Sequence, residues 1–175
     1  MRIALAALAA LAFAGAARAE VVRQDATSFT SRNAVEARAT PERAFAALGE
    51  VARWWNPSHT YSGDAARLSL PLQPGACFCE TLPGGGVAHA RVVMAWPAQG
   101  LLRLEGALGP LQQEGVSGAL TFEVKAKGDG VEVVQTYAVG GARTGLAETL
   151  AGPVDQVMRE QMTRFARYLA SGRPE

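Results

Sequence analysis

Apolar and polar positions alternate through the middle of the chain, which is the pattern of half-buried β-strands. The clearest case is 117–125, where Leu120, Phe122 and Val124 fall on one side and polar residues on the other. Short turns rich in glycine and proline separate segments of this kind, so the predicted sheet is antiparallel. In chain order the predicted strands are 33–39, 68–70, 76–82, 87–96, 101–105, 117–125 and 131–139.

Helical spacing appears on either side of the main group of strands. Thr40 is a predicted N-cap, with Pro41 at the first helical position of a short helix that ends near Gly49. A second short helix ends before Pro57, because the residue before a proline avoids helical geometry. After the last strand, apolar residues recur at steps of three or four and predict one long helix, which Pro153 starts or kinks. This apolar stripe consists of Leu150, Val154, Val157, Met158, Met162, Phe165 and Leu169.

Residues 1–19 have the pattern of a secretory signal peptide. Arg2 precedes an uninterrupted apolar run, and Ala17 and Ala19 are small residues at the −3 and −1 positions of a cleavage site. The run is shorter than the roughly 20 residues of a membrane-spanning helix. We expect cleavage after Ala19, leaving 20–175 as one domain in the periplasm or outside the cell, with no membrane contact. A buried helix and an uncleaved anchor are the alternatives.

Composition excludes several classes of function. The chain of 175 residues has 17 basic and 16 acidic side chains, and loss of Arg2 and Arg18 with the signal segment leaves 15 against 16. This balance gives no general attraction to nucleic acid, so no nucleic-acid partner is expected. Hydrophobic residues make up 49% of the chain, enough to fill a core, and two cysteines are too few for a disulfide scaffold. Frequent Ala and Gly, and Arg in preference to Lys, favour a bacterial source.

The order of a strand, two short helices, about six strands and a long helix resembles the helix-grip fold of the SRPBCC, or START-like, superfamily. The resemblance covers about residues 30–170. It is carried by ATPERAFAAL at 39–48, VARWW at 51–55, PGACFCE at 74–80, residues 92–104 with Pro97, and the terminal helix. More narrowly, HTYSGD at 59–64, PGACFCE, and LGPLQ at 108–112 together look like a group of secreted members of unassigned function.

This resemblance implies an α+β fold in which a curved antiparallel sheet of about six to seven strands wraps around a long C-terminal helix. Superfamily members often hold an apolar or aromatic molecule between sheet and helix, but others are cyclases, hydrolases or oxygenase subunits, so the fold does not define a reaction. We expect a small apolar ligand and no cofactor. The sequence does not define the oligomeric state. Seven residues are candidates for lining the cavity, and the alternative for each is ordinary packing in the core. They are Trp54, Trp55, Tyr61, Phe122, Met158, Met162 and Phe165.

Cys77 and Cys79 are the least ordinary residues of the sequence. They share one face of a predicted strand, and pairing Thr81 with Val87 across the hairpin would place Cys79 opposite His89 and Cys77 opposite Arg91. Three interpretations stay open: two small buried thiols, a disulfide favoured by an oxidising compartment, or a soft-metal site with His89 as third ligand. In an extended strand the two Cα atoms would lie about 6.5 Å apart, near the upper limit for a disulfide.

The loop HTYSGD carries groups suited to acid–base chemistry. His59 and Tyr61, together with His89, are the candidate catalytic residues of a cyclase- or hydrolase-like enzyme. The alternative is turn chemistry at 62–64, with a tied-down Tyr61 hydroxyl. The sequence has no phosphate-binding loop, nucleophile elbow or His-Glu-x-x-His motif. A binding protein, an enzyme and a thiol or metal protein therefore remain as alternative functions.

Overall fold

The computed structural model describes residues 18–175, so nearly all of the predicted signal segment lies outside the described residues. Eight strands form one sheet in the order β1-β2-β8-β7-β6-β5-β4-β3, and every neighbouring pair is antiparallel. Their bounds are β1 Arg18–Gln24, β2 Ser28–Ala37, β3 Leu68–Ser69, β4 Cys77–Leu82, β5 Gly85–Trp96, β6 Leu101–Glu105, β7 Ser117–Lys127 and β8 Gly130–Gly140.

The helices begin and end at the predicted capping residues in most places. They are α1 Pro41–Leu48, α2 Val51–Trp54 and α3 Leu146–Ser171. The Thr40 side chain accepts a hydrogen bond from the backbone N–H of Arg43 at 3.2 Å, which caps α1. Gly172 ends α3 in the left-handed region, at φ 75°. Among the described helices, none is both long and apolar enough to cross a membrane.

The inner face of the sheet and the apolar stripe of α3 form one core. Phe122 on β7 and Val133 on β8 are buried on this face, and Met162 and Phe165 are buried on α3. Helix α3 lies closest to β1 and β2. Because the helix covers one end of the sheet more closely than the other, space remains between its N-terminal half and the other end. This is the predicted α+β helix-grip architecture.

The sheet has more strands than the six to seven predicted, because strands begin well before the first predicted one at 33–39. The chain N-terminal to it forms β1 and the first half of β2. Every second residue of β2 faces inward, and all four of these residues are buried: Phe29, Ser31, Asn33 and Val35. The two polar side chains interrupt the apolar pattern, and β1 is an edge strand with mostly exposed side chains. The signal for a period of two was therefore absent from the sequence here.

Helix α3 starts six residues before Gly152, so Pro153 lies inside it. Gly145 precedes the helix at φ 85°, a conformation that glycine adopts without strain. Proline has no N–H group, so one hydrogen bond of the helix is missing at this position, but the helix is continuous on both sides of it. Of the two predicted alternatives, the longer helix with an internal proline is the one that forms.

Candidate functional site

A cavity of about 390 Å³ lies between the N-terminal half of α3 and the β4–β5 end of the sheet. Most of its walls are apolar, and its polar groups come from two histidines, a loop serine and threonine, and two tyrosines. The lining residues are Trp55, Ser58, His59, Thr60, Tyr61, Leu68, Phe78, His89, Leu108, Gly109, Pro110, Leu111, Tyr137, Leu150, Pro153, Val154, Val157 and Met158. An apolar cavity with a few polar groups is the usual form of a small-molecule site.

His89 is held in the wall of this cavity by a buried carboxylate. Its Nε2 atom lies 3.0 Å from Oε2 of Glu80, and the two residues are 7% and 1% exposed. The His89 ring packs on Phe78, with ring centroids 5.0 Å apart, and stacks beneath the ring of Tyr61 at 5.9 Å. Packing on both faces and a hydrogen bond at one edge leave the imidazole a single orientation.

Glu80 binds the loop above it as well as His89. Its carboxylate accepts hydrogen bonds from the backbone N–H groups of Tyr61 and Ser62. Burial alone would raise the pKa of Glu80. The hydrogen bonds from Ser62, Tyr61 and His89 lower it by more than burial raises it, so the pKa lies below its ordinary value. Burial also lowers the pKa of His89, more than the carboxylate raises it. At neutral pH an ionised Glu80 therefore accepts a hydrogen bond from the Nε2–H group of a neutral His89.

The predicted pairing of Cys79 with His89 is wrong because the hairpin turn is one residue shorter than expected. Thr81 pairs with Gly86 instead of Val87, so Cys79 pairs with Ala88, and the next residue, His89, points to the inner face. A β-bulge then makes His89 an extra residue before the Phe78–Ala90 pair, which restores the predicted pairing of Cys77 with Arg91 and leaves both cysteines on the outer face. The two thiols and the imidazole thus lie on opposite sides of the sheet, and the set of three metal ligands is not assembled. Residues 18–175 hold no cluster of His, Cys, Asp or Glu that is placed to bind a metal ion.

Cys77 and Cys79 are joined by a disulfide whose Cα atoms lie 5.2 Å apart. The separation is shorter than the extended-strand value and falls inside the usual range for a disulfide. The bridge closes a loop of only three residues, for which loop-closure entropy predicts about 1.5 kcal/mol of stabilisation, roughly half that of a fifteen-residue loop. Of the three interpretations of these cysteines, the structure contains the disulfide.

His59 also lines the cavity and is also paired with a carboxylate. Its Nε2 atom lies 3.0 Å from Oε2 of Glu160 on α3, and the amide of Asn56 donates to the other oxygen of the same carboxylate. Burial raises the pKa of Glu160, but the bonds from His59 and Asn56 lower it below its ordinary value. The chain has two histidines, and each is thus held at this one cavity by a glutamate.

Comparison with known proteins identifies the family. A family model described as polyketide cyclase / dehydrase and lipid transport matches residues 28–170. The chain belongs to this family, within the SRPBCC/START-like superfamily. No curated protein matches the sequence.

Solved structures share the fold of this family member at low sequence identity. A conserved protein of unknown function from Enterococcus faecalis has a TM-score of 0.61 at 10% identity, covering 89% of this chain and 78% of its own. CalU16 from Micromonospora echinospora has a TM-score of 0.59 at 13% identity, covering 92% and 88%. The Aha1 dimer from Colwellia psychrerythraea has a TM-score of 0.58 at 16% identity, covering 82% and 97%. At these identities the likeness shows the fold alone.

The predicted cavity residues of this family member divide into two groups. Trp55, Tyr61 and Met158 line the cavity. The other four belong to the core and are not among its lining residues: Trp54, Phe122, Met162 and Phe165. Trp54 is 1% exposed, donates from Nε1 to the Ala47 carbonyl at 2.9 Å, and packs against Phe165.

Three features of the site are not predicted by the sequence pattern. Glu80 binds His89 and the loop over the cavity. Tyr137 lies in a predicted strand, but its hydroxyl donates to the Gly106 carbonyl and accepts from the Leu108 N–H, and burial raises its pKa to about 12. Residues 108–111 form part of the cavity wall. A buried tyrosine or glutamate in a strand was the one available signal, because such groups need hydrogen-bond partners.

Proposed function

We propose that this family member is a periplasmic or secreted protein that binds a small apolar or aromatic molecule between the sheet and α3. The observation that carries the proposal is the cavity of about 390 Å³ at that place. Ligand sites occupy about 300–1,000 Å³, and this one is near the lower end. We therefore infer a compact ligand rather than a two-chained lipid. The location rests on the signal-peptide pattern of residues 1–19.

The geometry of the cavity mouth supports ligand entry beside Tyr61. Its ring is 55% exposed, and its hydroxyl donates to the Gly109 carbonyl at 3.3 Å. This single long hydrogen bond links the loop around Tyr61 to residues 108–111. Because so weak a link is readily broken, the two segments can part without disturbing the core.

Native mass spectrometry of the protein purified from its own periplasm tests the proposal directly. We expect a non-covalent complex with one small molecule, and a polypeptide mass that lacks residues 1–19. Val157→Trp fills the cavity from α3 and is expected to abolish the complex. Val93→Trp, at a 45% exposed position on β5, is the matched control and should retain it. Equal ligand occupancy in both variants would contradict the proposal.

A second candidate is a proton-transfer enzyme that uses the same cavity. The two histidine–glutamate pairs at its wall favour this candidate. A neutral His89 with a carboxylate behind it is suited to take a proton from a bound molecule, since the developing imidazolium would be stabilised by Glu80.

Comparing the molecules released from wild type and from His89→Gln separates binding from catalysis. A binding protein releases the same compound from both preparations. An enzyme releases product from wild type and unconverted substrate from the variant, and the two differ in mass or retention time. His59→Gln extends the comparison to the second pair.

A further inference from the structure

The disulfide lies on the outer face of β4, away from the cavity between sheet and helix. Cys77 and Cys79 are both half-buried, while Phe78 between them and Glu80 after them are buried on the inner face. The two bonded residues are therefore partly open to solution, on the face of β4 opposite the proposed ligand site.

The fold has little need of this cross-link. β4 is already paired with β3 on one side and β5 on the other. Loop-closure stabilisation grows with the length of the closed loop, and here the bonded residues are separated by one residue. A bridge that stabilises so little and lies partly open to solution is suited to exchange chemistry.

A second, open cavity of about 430 Å³ lies against Cys77, and its wall includes His89, which also lines the first cavity. Arg91, the register partner of Cys77 on β5, and Glu105, the partner of Arg91 on β6, both line it. Gln112 forms part of the wall and donates from its amide to the Ala88 carbonyl at 3.0 Å. Cys77 is among the lining residues and Cys79 is not, so the cavity lies on the Cys77 side of the bridge.

The chemistry of this wall suits a small thiol. The positive guanidinium of Arg91 stabilises a thiolate beside it, which is the reactive form of a thiol. Glu105 offers a carboxylate to an ammonium group on the same molecule. A zwitterionic or amino-bearing thiol would therefore find complementary charges on both sides of Cys77.

We propose that Cys77 and Cys79 form a thiol–disulfide exchange site for small thiols that enter the cavity beside Arg91. The thiolate attacks Sγ of Cys77, the Sγ–Sγ bond breaks, and Cys79 leaves as a thiolate that takes a proton from water. A second thiol then attacks the mixed disulfide, which releases the oxidised small-molecule disulfide and the free thiol of Cys77. Two electrons pass from two small thiols to the protein disulfide.

Titration of the folded chain with reduced and oxidised glutathione tests the proposal. Samples are quenched with iodoacetamide and weighed intact, while near-ultraviolet circular dichroism follows the fold. We expect reversible conversion between no alkylation and two alkylations, with the native spectrum retained. Reduction that occurs only together with unfolding would overturn the proposal, since the bridge would then be structural.

Arg91→Gln tests the role assigned to the cavity. Loss of the positive charge is expected to slow reduction by glutathione by about threefold to tenfold. Arg38→Gln, at an exposed arginine paired with Asp129, is the matched control and should keep the wild-type rate. Equal rates in the two variants would overturn the assignment of Arg91.

The double variant with Cys77→Ser and Cys79→Ser separates this site from the proposed ligand site. We expect it to lose exchange completely while keeping its fold and its bound molecule. Failure of the double variant to fold would contradict the proposal. Loss of glutathione exchange with an intact ligand complex leaves the proposed function standing, so the two proposals fail independently.

Discussion

Nε2 of His89 lies 3.0 Å from Oε2 of Glu80, and both side chains are buried at the cavity wall. Two backbone N–H groups, of Tyr61 and Ser62, donate to the same carboxylate. One buried charge thus connects strand β4, the β5 bulge and the loop over the cavity. A carboxylate at this position orients the imidazole and holds the mouth of the cavity in place.

Glu80→Gln is expected to destabilise the protein by about 1–3 kcal/mol, the usual cost of leaving buried donors unsatisfied. The N–H groups of Tyr61 and Ser62 donate to different oxygens of the Glu80 carboxylate. In either orientation of a glutamine amide, its NH₂ group would therefore face one of these two N–H donors. Urea unfolding measures the loss. Glu36→Gln, whose side chain is 54% exposed on β2, should change stability by less than about 0.5 kcal/mol. Equal losses in both variants would contradict the assigned role.

Stability should fall as the pH falls below about 6.5. The pKa of His89 in the folded chain is lower than its ordinary value of 6.5, so the unfolded chain takes up the proton first and unfolding is favoured. The low pKa of Glu80 adds a further loss below 4.5. Unfolding free energies measured from pH 7 to 5 should show the first decrease in wild type and in His59→Gln. His89→Gln should show less of it, and an unchanged slope would refute the assignment.

Tyr137→Phe is expected to lower stability by about 1–3 kcal/mol and to weaken ligand binding. The variant loses the hydroxyl that accepts from Leu108 and donates to Gly106, so a buried N–H is left unsatisfied and the 108–111 wall loosens. Thermal unfolding and ligand occupancy by native mass spectrometry measure the two effects. Tyr61→Phe removes a hydroxyl from a 55% exposed side chain and serves as control. Its stability should stay within about 0.5 kcal/mol of wild type.

The neighbouring tryptophans should separate stability from binding. Trp54 is packed in the core, with its indole N–H bonded to Ala47, so Trp54→Phe is expected to cost about 1–3 kcal/mol and to leave ligand affinity unchanged. Trp55 lines the cavity, and Trp55→Phe should reduce affinity. Denaturation curves and ligand occupancy for both variants test this division. A large loss of affinity in Trp54→Phe alone would reverse it.

Gln135→Met is expected to leave stability unchanged or to raise it. Both polar atoms of the buried Gln135 amide have no hydrogen-bond partner among residues 18–175. Replacing an unsatisfied polar side chain with an apolar one of similar shape removes a desolvation cost. Chemical denaturation measures the change. A loss of more than about 1 kcal/mol would instead indicate that a buried water or a ligand atom binds this amide.

Much of the architecture was predictable because it depends on local chemistry. The cap at Thr40, the antiparallel pairing across short turns and the apolar stripe of α3 each result from neighbouring residues, and each forms as predicted. Strand β1 and the first half of β2 were missed because burial of Ser31 and Asn33 depends on partners far along the chain. Asp155 on α3 accepts from Ser31 at 2.6 Å, and no local pattern announces that bond.

The candidate site was only half predictable for the same reason. The sequence named His59, Tyr61, His89 and the cysteines as the chemically unusual residues, but a uniform register placed His89 beside Cys79. A register shift of one residue moves a side chain to the other face of the sheet. The shorter hairpin turn, which pairs Thr81 with Gly86, therefore placed the imidazole at the cavity and at Glu80 instead of beside the disulfide.

The sequence by itself determined the order of the elements from β2 onward, the cap at Thr40 and the near-neutral charge, because these follow from residue type and short-range spacing. Only the tertiary structure decided which side chains meet. It placed both histidines at one cavity, each against a glutamate, and placed the disulfide on the opposite face. Such contacts depend on strand register and on the path of α3 over the sheet. Both are set by the packing of the whole core rather than by any local segment.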